Sequence, residues 1–194
     1  MVERYRNLGI RNKEFIMACW NVIDHTELSG NATSYEVTSI SSAYEHLYCV
    51  ISARSDKSGY NYEQVDIQLS GDTGSNYYST WFQMYKAASP FSGGYLTGRT
   101  HIDGAYINAA SQAGDTFSPM EILIPNYSNA VGDKQVIVKG GCPNWSTSDY
   151  EYMVYLVGGL HDSTAAVDEF KLTLTDGNNF IQYSTFTLYG INGA

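Results

Sequence analysis

Charge is scarce in this chain. Asp, Glu, Lys and Arg make up 16% of its 194 residues, against about 25% in an average soluble domain. What charge there is has mostly one sign: 20 acids face 11 bases, for a net charge of −9. Four of those bases, Arg4, Arg6, Arg11 and Lys13, fall in the first 13 residues, so the chain from Glu14 onward is strongly acidic. Affinity for nucleic acid comes largely from cations that neutralise phosphates. An acidic body therefore argues against a DNA- or RNA-binding role and against an anionic membrane surface as partner.

Cysteine, proline and long apolar runs are also short. The three cysteines, Cys19, Cys49 and Cys142, are too few and odd in number for a disulfide framework. They show no C-x-x-C spacing, so a structural zinc site is not expected. Cys19 and Cys49 sit in apolar runs and read as small buried hydrophobes. Four prolines exclude a Pro-rich stalk. No stretch approaches the roughly 20 apolar residues of a membrane helix, and residues 1–15 lack the apolar centre of a secretory signal. The expectation is a protein made in a cytoplasm that acts elsewhere by assembly.

Turn formers and β-formers are abundant, with 18 glycines and 17 tyrosines and Ser, Thr and Asn in nearly every gap. Residues 1–13 are polar and partly basic without period-2 patterning, and read as a flexible or partner-docked arm. From Phe15 the two-residue period takes over. Residues 15–23 form a continuous apolar run expected to be a buried strand. Leu47, Cys49, Ile51 and Ala53 alternate with Tyr48, Val50, Ser52 and Arg54, a pattern that helical spacing cannot produce. Val65, Ile67 and Leu69 alternate with Asp66, Gln68 and Ser70, predicting one wet face. Further strands are expected at 33–38, 77–87, 101–109, 121–125, 135–139, 150–157, 170–175 and 185–191, with one helical turn at 163–167. About ten strands with turns between them predict an all-β, jelly-roll-like two-sheet sandwich, with residues 14–194 as one domain and 1–13 as a short N-terminal arm.

Chemistry is hard to assemble from these residues. His161-Asp162-Ser163 contains the side-chain types of a hydrolase triad, but neighbours on an extended chain point to opposite faces and cannot form the relay. Asp24-His25 and His101-Ile102-Asp103 lack an accompanying nucleophile elbow and read as surface or cap histidines. Residues 71–76 (GDTGSN) resemble a calcium loop only in composition, because the terminal bidentate Glu is missing; Asp72 and Asn76 read as turn residues. There is no phosphate loop and no dinucleotide fingerprint, so no cofactor is expected. The excess that remains is aromatic. Tyr60, Tyr62, Tyr77, Tyr78, Trp81, Tyr95, Trp145, Tyr150 and Tyr152 lie in or beside turn-rich segments. Tyr and Trp bury large area and keep a polar handle, which suits protein interfaces and sugar rings. Tyr77, Tyr78, Trp81 and Trp145 are the candidate interface or glycan residues.

Four segments carry a resemblance: residues 51–56 (ISARSD), 69–78 (LSGDTGSNYY), 158–160 (GGL) with 163–166 (STAA), and the closing 186–191 (FTLYGI). Together they resemble a recurrent tailed-bacteriophage virion protein, small and jelly-roll-like, over residues 36–191. The resemblance implies a non-enzymatic particle component and supplies no catalytic residue. Two kinds of particle protein fit it. A capsid decoration or cement protein sits on the shell, often as a homotrimer, and staples major capsid subunits. A tail fibre or receptor-binding protein meets a host surface glycan. The absence of a heptad run, a collagen-like repeat or a second domain favours the first. In that reading Arg4, Arg6, Arg11 and Lys13, with apolar Leu8 and Ile10, dock the arm on a partner by charge or strand addition.

Overall fold

The computed structural model describes residues 20–85, 91–142 and 153–192. Twelve strands fill these residues: β1 Trp20–Glu27, β2 Ser34–Thr38, β3 His46–Ala53, β4 Tyr62–Leu69, β5 Tyr77–Tyr85, β6 Phe91–Arg99, β7 Ile102–Asn108, β8 Ser118–Ile124, β9 Lys134–Cys142, β10 Met153–His161, β11 Glu169–Leu174 and β12 Thr185–Ile191. They form two antiparallel sheets, one of eight strands in the order β1-β12-β3-β8-β9-β10-β5-β6 and one of four in the order β2-β11-β4-β7.

The topology is simpler than the order suggests. With β5, β6, β9 and β10 set aside, the other eight strands are rungs of one antiparallel ribbon: β1 pairs β12, β2 pairs β11, β3 pairs β8 and β4 pairs β7. Winding the ribbon brings β12 against β3 and β11 against β4. The two resulting four-strand orders are those of a jelly roll. The hairpin β5–β6 is inserted between β4 and β7, and β9–β10 between β8 and β11. The insertions meet where β10 pairs β5, and β9 joins them to β8. One sheet thereby doubles in width while the other keeps four strands.

Alternation decides what goes inside. Leu47, Cys49, Ile51 and Ala53 of β3 face the core beside Phe186 and Leu188 of β12 and Met120, Ile122 and Ile124 of β8. The small sheet answers with Val65, Ile67, Leu69, Phe170, Leu172, Ile102 and Ile107. Each Val, Leu, Ile, Met or Phe among them contributes roughly 1.5–3 kcal/mol on burial. Tyr35 stacks on Phe186 with ring centroids 4.6 Å apart, joining the sheets at one end. β7 packs across the inner faces of β9 and β10. There Gly159 is required, since a Cβ would sit 2.6 Å from Ile102 Cγ2.

Several expectations need correction. Of the run 15–23, residues 15–19 lie outside the described residues, and β1 is an edge strand with Trp20 and Val22 largely exposed. Residues 91–99 form a strand that glycine content concealed. The segment 163–167 is irregular, without a helical turn. Arg54 does not continue the outward row of β3. It is buried, and its guanidinium donates to the carbonyls of Ala110 (3.2 Å), Gln112 (2.9 Å) and Ala113 and to Thr116 Oγ1. Nor is the polar side of β4 wet at Asp66, which is buried beneath Arg99 and His101 from the β6–β7 junction.

Candidate functional site

The residues that looked most like catalysts are structural. His161 ends β10 facing inward, with its ring stacked on Tyr77 at 4.5 Å and Nε2 2.8 Å from Asp72 Oδ2. Asp72 also accepts from Asn76 Nδ2 (2.9 Å) and from the Gly74 N–H (2.7 Å). The Asn76 bond, then His161 and the Gly74 N–H, pull its carboxyl down to about 2. Ser163 is not in this group; its Oγ accepts from the Ala165 N–H. Asp24 and His25 part company, Asp24 accepting from Tyr35 and Thr26 while His25 Nδ1 lies 2.8 Å from Thr187 Oγ1.

His101 is not a surface histidine. It lies 3.5 Å from Asp66 Oδ1 and 3.8 Å from Asp103 Oδ1, with Arg99 Nη2 3.6 Å from the same Asp103 oxygen. Asp66 and Asp103 are cross-strand partners of β4 and β7. Burial pushes the Asp66 carboxyl up to about 6, and the Asp103 contact, foremost, raises His101 above its ordinary value. Thr175 Oγ1 donates to Asp66 at 2.6 Å. Thr100 Oγ1 lies 3.3 Å from His101 Nδ1, and among the described residues no three metal-ligating side chains are grouped to hold an ion.

The aromatic candidates separate. Tyr77 is a core residue with no exposed surface, and its hydroxyl bonds Leu69 and the Asp72 carbonyl, so it is no interface or glycan residue. Trp81 points inward, half-buried, 6.5 Å from Tyr155. Tyr78 is half-buried on the outward side of β5. Trp145, Tyr150, Tyr152 and the arm with Arg4, Arg6, Leu8, Ile10, Arg11 and Lys13 lie outside the described residues.

What the widened sheet creates is a surface. On its outward face Phe91, Met84 and Val154 form one cross-strand row, and Phe82 and Leu156 form the next. These five side chains are 45% to 62% exposed, and Phe82 stacks on Phe91 at 5.8 Å. They present roughly 500 Å² of apolar surface, taking full aromatic areas of about 150–250 Å². The strip carries no charge and is bordered by the Lys139–Glu121 ion pair at 2.8 Å. An antiparallel sheet facing water normally alternates apolar with polar. Here β10 is apolar on both sides, Met153, Tyr155 and Val157 inward and Val154 and Leu156 outward.

Directly beyond the strip the face dips into a groove of about 550 Å³. The next cross-strand row runs Tyr95, Thr80, Gly158, Ile137, so two bulky residues flank a threonine and a bare backbone. The row beyond it, Tyr78, Leu160 and Gln135, closes the far side. Pro125 forms one wall. It opens the loop after β8, in which buried Lys134 donates from Nζ to the carbonyls of Asn129 and Gly132, both at 2.7 Å, and to that of Thr164 at 3.1 Å. The outward apolar residues of β5 and β10 fall in the strands expected at 77–87 and 150–157, where nothing in the sequence marked them as a surface. Neither the groove nor β6 had a signal of its own.

No protein-family model matches the chain, and comparison with curated proteins finds no match.

Proposed function

We propose that this chain is a non-catalytic surface protein of a tailed-bacteriophage virion, a capsid decoration protein that self-associates and stabilises the capsid lattice. The observation that carries the reading is the uncharged apolar strip of β5, β6 and β10. Apolar patches of several hundred Å² mark interaction sites. Two copies apposed through the strip bury about 1,000 Å², the lower bound for a specific interface. The body is acidic, so like copies repel except where charge is absent, and the strip is such a place. It ends at β6, which among the described residues is an edge strand, the kind of edge that takes strand addition. The phage assignment rests on the sequence resemblance. A protein that binds only the assembled lattice stabilises it by mass action, with the basic arm as the attachment element.

The test is sedimentation at tens of micromolar with wild type, Phe82→Asp and Leu156→Lys, then occupancy on particles. The expected result is a wild-type oligomer, monomeric folded variants and reduced occupancy. A monomeric wild type, or variants that assemble unchanged, would refute the strip as the interface. Deleting residues 1–13 should remove particle binding and leave the body folded.

A second reading is a tail-fibre or receptor-binding protein recognising a host glycan. The feature that favours it is the uncharged groove beside Tyr95.

A further inference from the structure

Two adjacent glycines in β10 have opposite reasons to be there. Gly159 faces the core, where Ile102 leaves no room for a Cβ. Gly158 faces outward, and a Cβ built on it meets nothing closer than Thr80 O at 4.0 Å. Its φ is outside the left-handed region, so the backbone does not demand glycine either. Packing and conformation leave Gly158 free to be any residue, and glycine inside a strand lowers stability. What a side chain at 158 would fill is the groove.

We infer that the groove centred on Gly158 is a binding site for a single neutral sugar ring at the end of a glycan. Its dimensions come from the sheet. Tyr95 and Ile137 stand three strands apart, about 14 Å, with Thr80 and Gly158 as the floor between them. Rows two residues apart, about 7 Å along the strands, bound it with Leu160 and Tyr78 on one side and Leu156 and Phe82 on the other. The volume lies in the range of small-ligand sites. Leu96, Pro125, Ile137 and Leu160 make most of the lining apolar, and two further features suit a sugar. Tyr95, 76% exposed, offers a ring face against which the C–H face of a pyranose packs. Thr80, Thr97 and Gln135 supply hydroxyl and amide groups that both donate and accept, matching sugar hydroxyls. No lining residue is charged, and the surrounding protein is acidic. Charge complementarity therefore selects a neutral ligand and disfavours sialylated, phosphorylated or sulfated glycans. Lys134 ties the loop that follows Pro125 to itself and to Thr164, which limits the ordering cost of binding.

The ligand class rests on the second reading above; the location does not. The experiment is a glycan array carrying neutral oligosaccharides that end in hexose or N-acetylhexosamine beside acidic ones, with calorimetric titration of the best neutral member against wild type, Gly158→Leu and Tyr95→Ala. Both variants are expected to keep the wild-type far-ultraviolet spectrum, Gly158→Leu to melt no lower than wild type, and both to lose at least tenfold in affinity. Neutral-sugar binding that persists in a folded Gly158→Leu protein overturns the groove and leaves glycan recognition standing. An array with no neutral binder, or with acidic binders only, overturns the sugar assignment and the second reading with it. Self-association through the strip is scored separately by sedimentation and is untouched by either result.

Discussion

Lowering the pH from 7.5 to 5 should stabilise this protein, and Asp66 should account for much of the gain. Its carboxyl lies buried between β4 and β7 with a folded pKa of about 6 against an ordinary 3.8, burial being the main cause. Between those values the folded state holds a proton that the unfolded chain has released. Stability from this group is therefore gained as pH falls through 6 toward 4 and lost as pH rises through 6. The whole shift corresponds to about 3 kcal/mol, and roughly 1.4 kcal/mol of it is realised by pH 5. His101 acts in the same direction. Its folded pKa is raised, so its contribution is full below the unfolded value of about 6.5 and is lost as pH rises through the folded one. For a domain of this size 1 kcal/mol moves Tm by about 2–4 °C, which gives a rise of roughly 3–6 °C.

Two other effects must be separated from it. Protonating surface carboxylates also relieves repulsion in an acidic chain. Against this, Asp56, Asp72 and Glu121 have depressed pKa values, so their stabilisation is present above the unfolded carboxylate range and fails as pH falls through their folded values. That loss begins below about pH 4 and sets the lower limit of the stable range. Calorimetry of wild type and Asp66→Asn at pH 7.5, 6 and 5 isolates the site. The amide keeps the Thr175 bond and cannot titrate, so the variant should show a clearly shallower rise. A wild-type Tm that is flat or falls from 7.5 to 5, or an Asn variant with the full wild-type slope, would refute the buried-carboxylate argument.

Two further outcomes follow from buried polar chemistry. Arg54→Ala should lower stability by about 2–4 kcal/mol, because it leaves the carbonyls of Ala110 and Gln112 without their donor and Ala113 with Thr116 Oγ1 alone; denaturant unfolding measures it, and a loss under 1 kcal/mol would contradict it. Cys49 and Cys142 are fully buried free thiols. Burial raises both, Cys142 to about 12, so neither should react with an aromatic disulfide reagent at pH 8 until the protein unfolds. More than one fast-reacting thiol in the native protein would show that at least one of them is open.

Legibility in the sequence follows how many faces a residue pattern must satisfy. β3 and β12 have one buried side, so alternation alone located them, and β12 ends where the pattern does. β6 has no buried side; its Ser92-Gly93-Gly94 and Gly98 carry no period, and only backbone pairing with β5 makes it a strand. Tyr77 sits next to a turn, which is why it read as a surface aromatic. One pleat turns it inward, where its hydroxyl ties the end of β4 to Asp72. Gly158 and Gly159 are equivalent as text. Alternation puts one against Ile102 and the other in the groove, and the difference exists only once β10 has a register. The outward strip was legible as composition and illegible as exposure. Apolar residues on both sides of a strand normally mean burial on both, and only the strand order shows that among the described residues no sheet covers the second side of β10.

That strand order also divides labour within the chain. The eight ribbon strands close a jelly roll by themselves and hold most of the buried Leu, Ile and Phe. The strip (Phe82, Met84, Phe91, Val154 and Leu156) and the central row of the groove (Tyr95, Thr80, Gly158 and Ile137) each draw on both inserted hairpins and on no ribbon strand. The inserted strands are stapled to the frame by their inner faces, through β7 packed on β9 and β10, so their outer faces carry no structural duty. Substitutions there should change what the protein touches at little cost to folding, while substitutions on the inner face of the same strands, Gly159 first among them, should do the reverse. One β-strand thus separates binding from stability at adjacent residues.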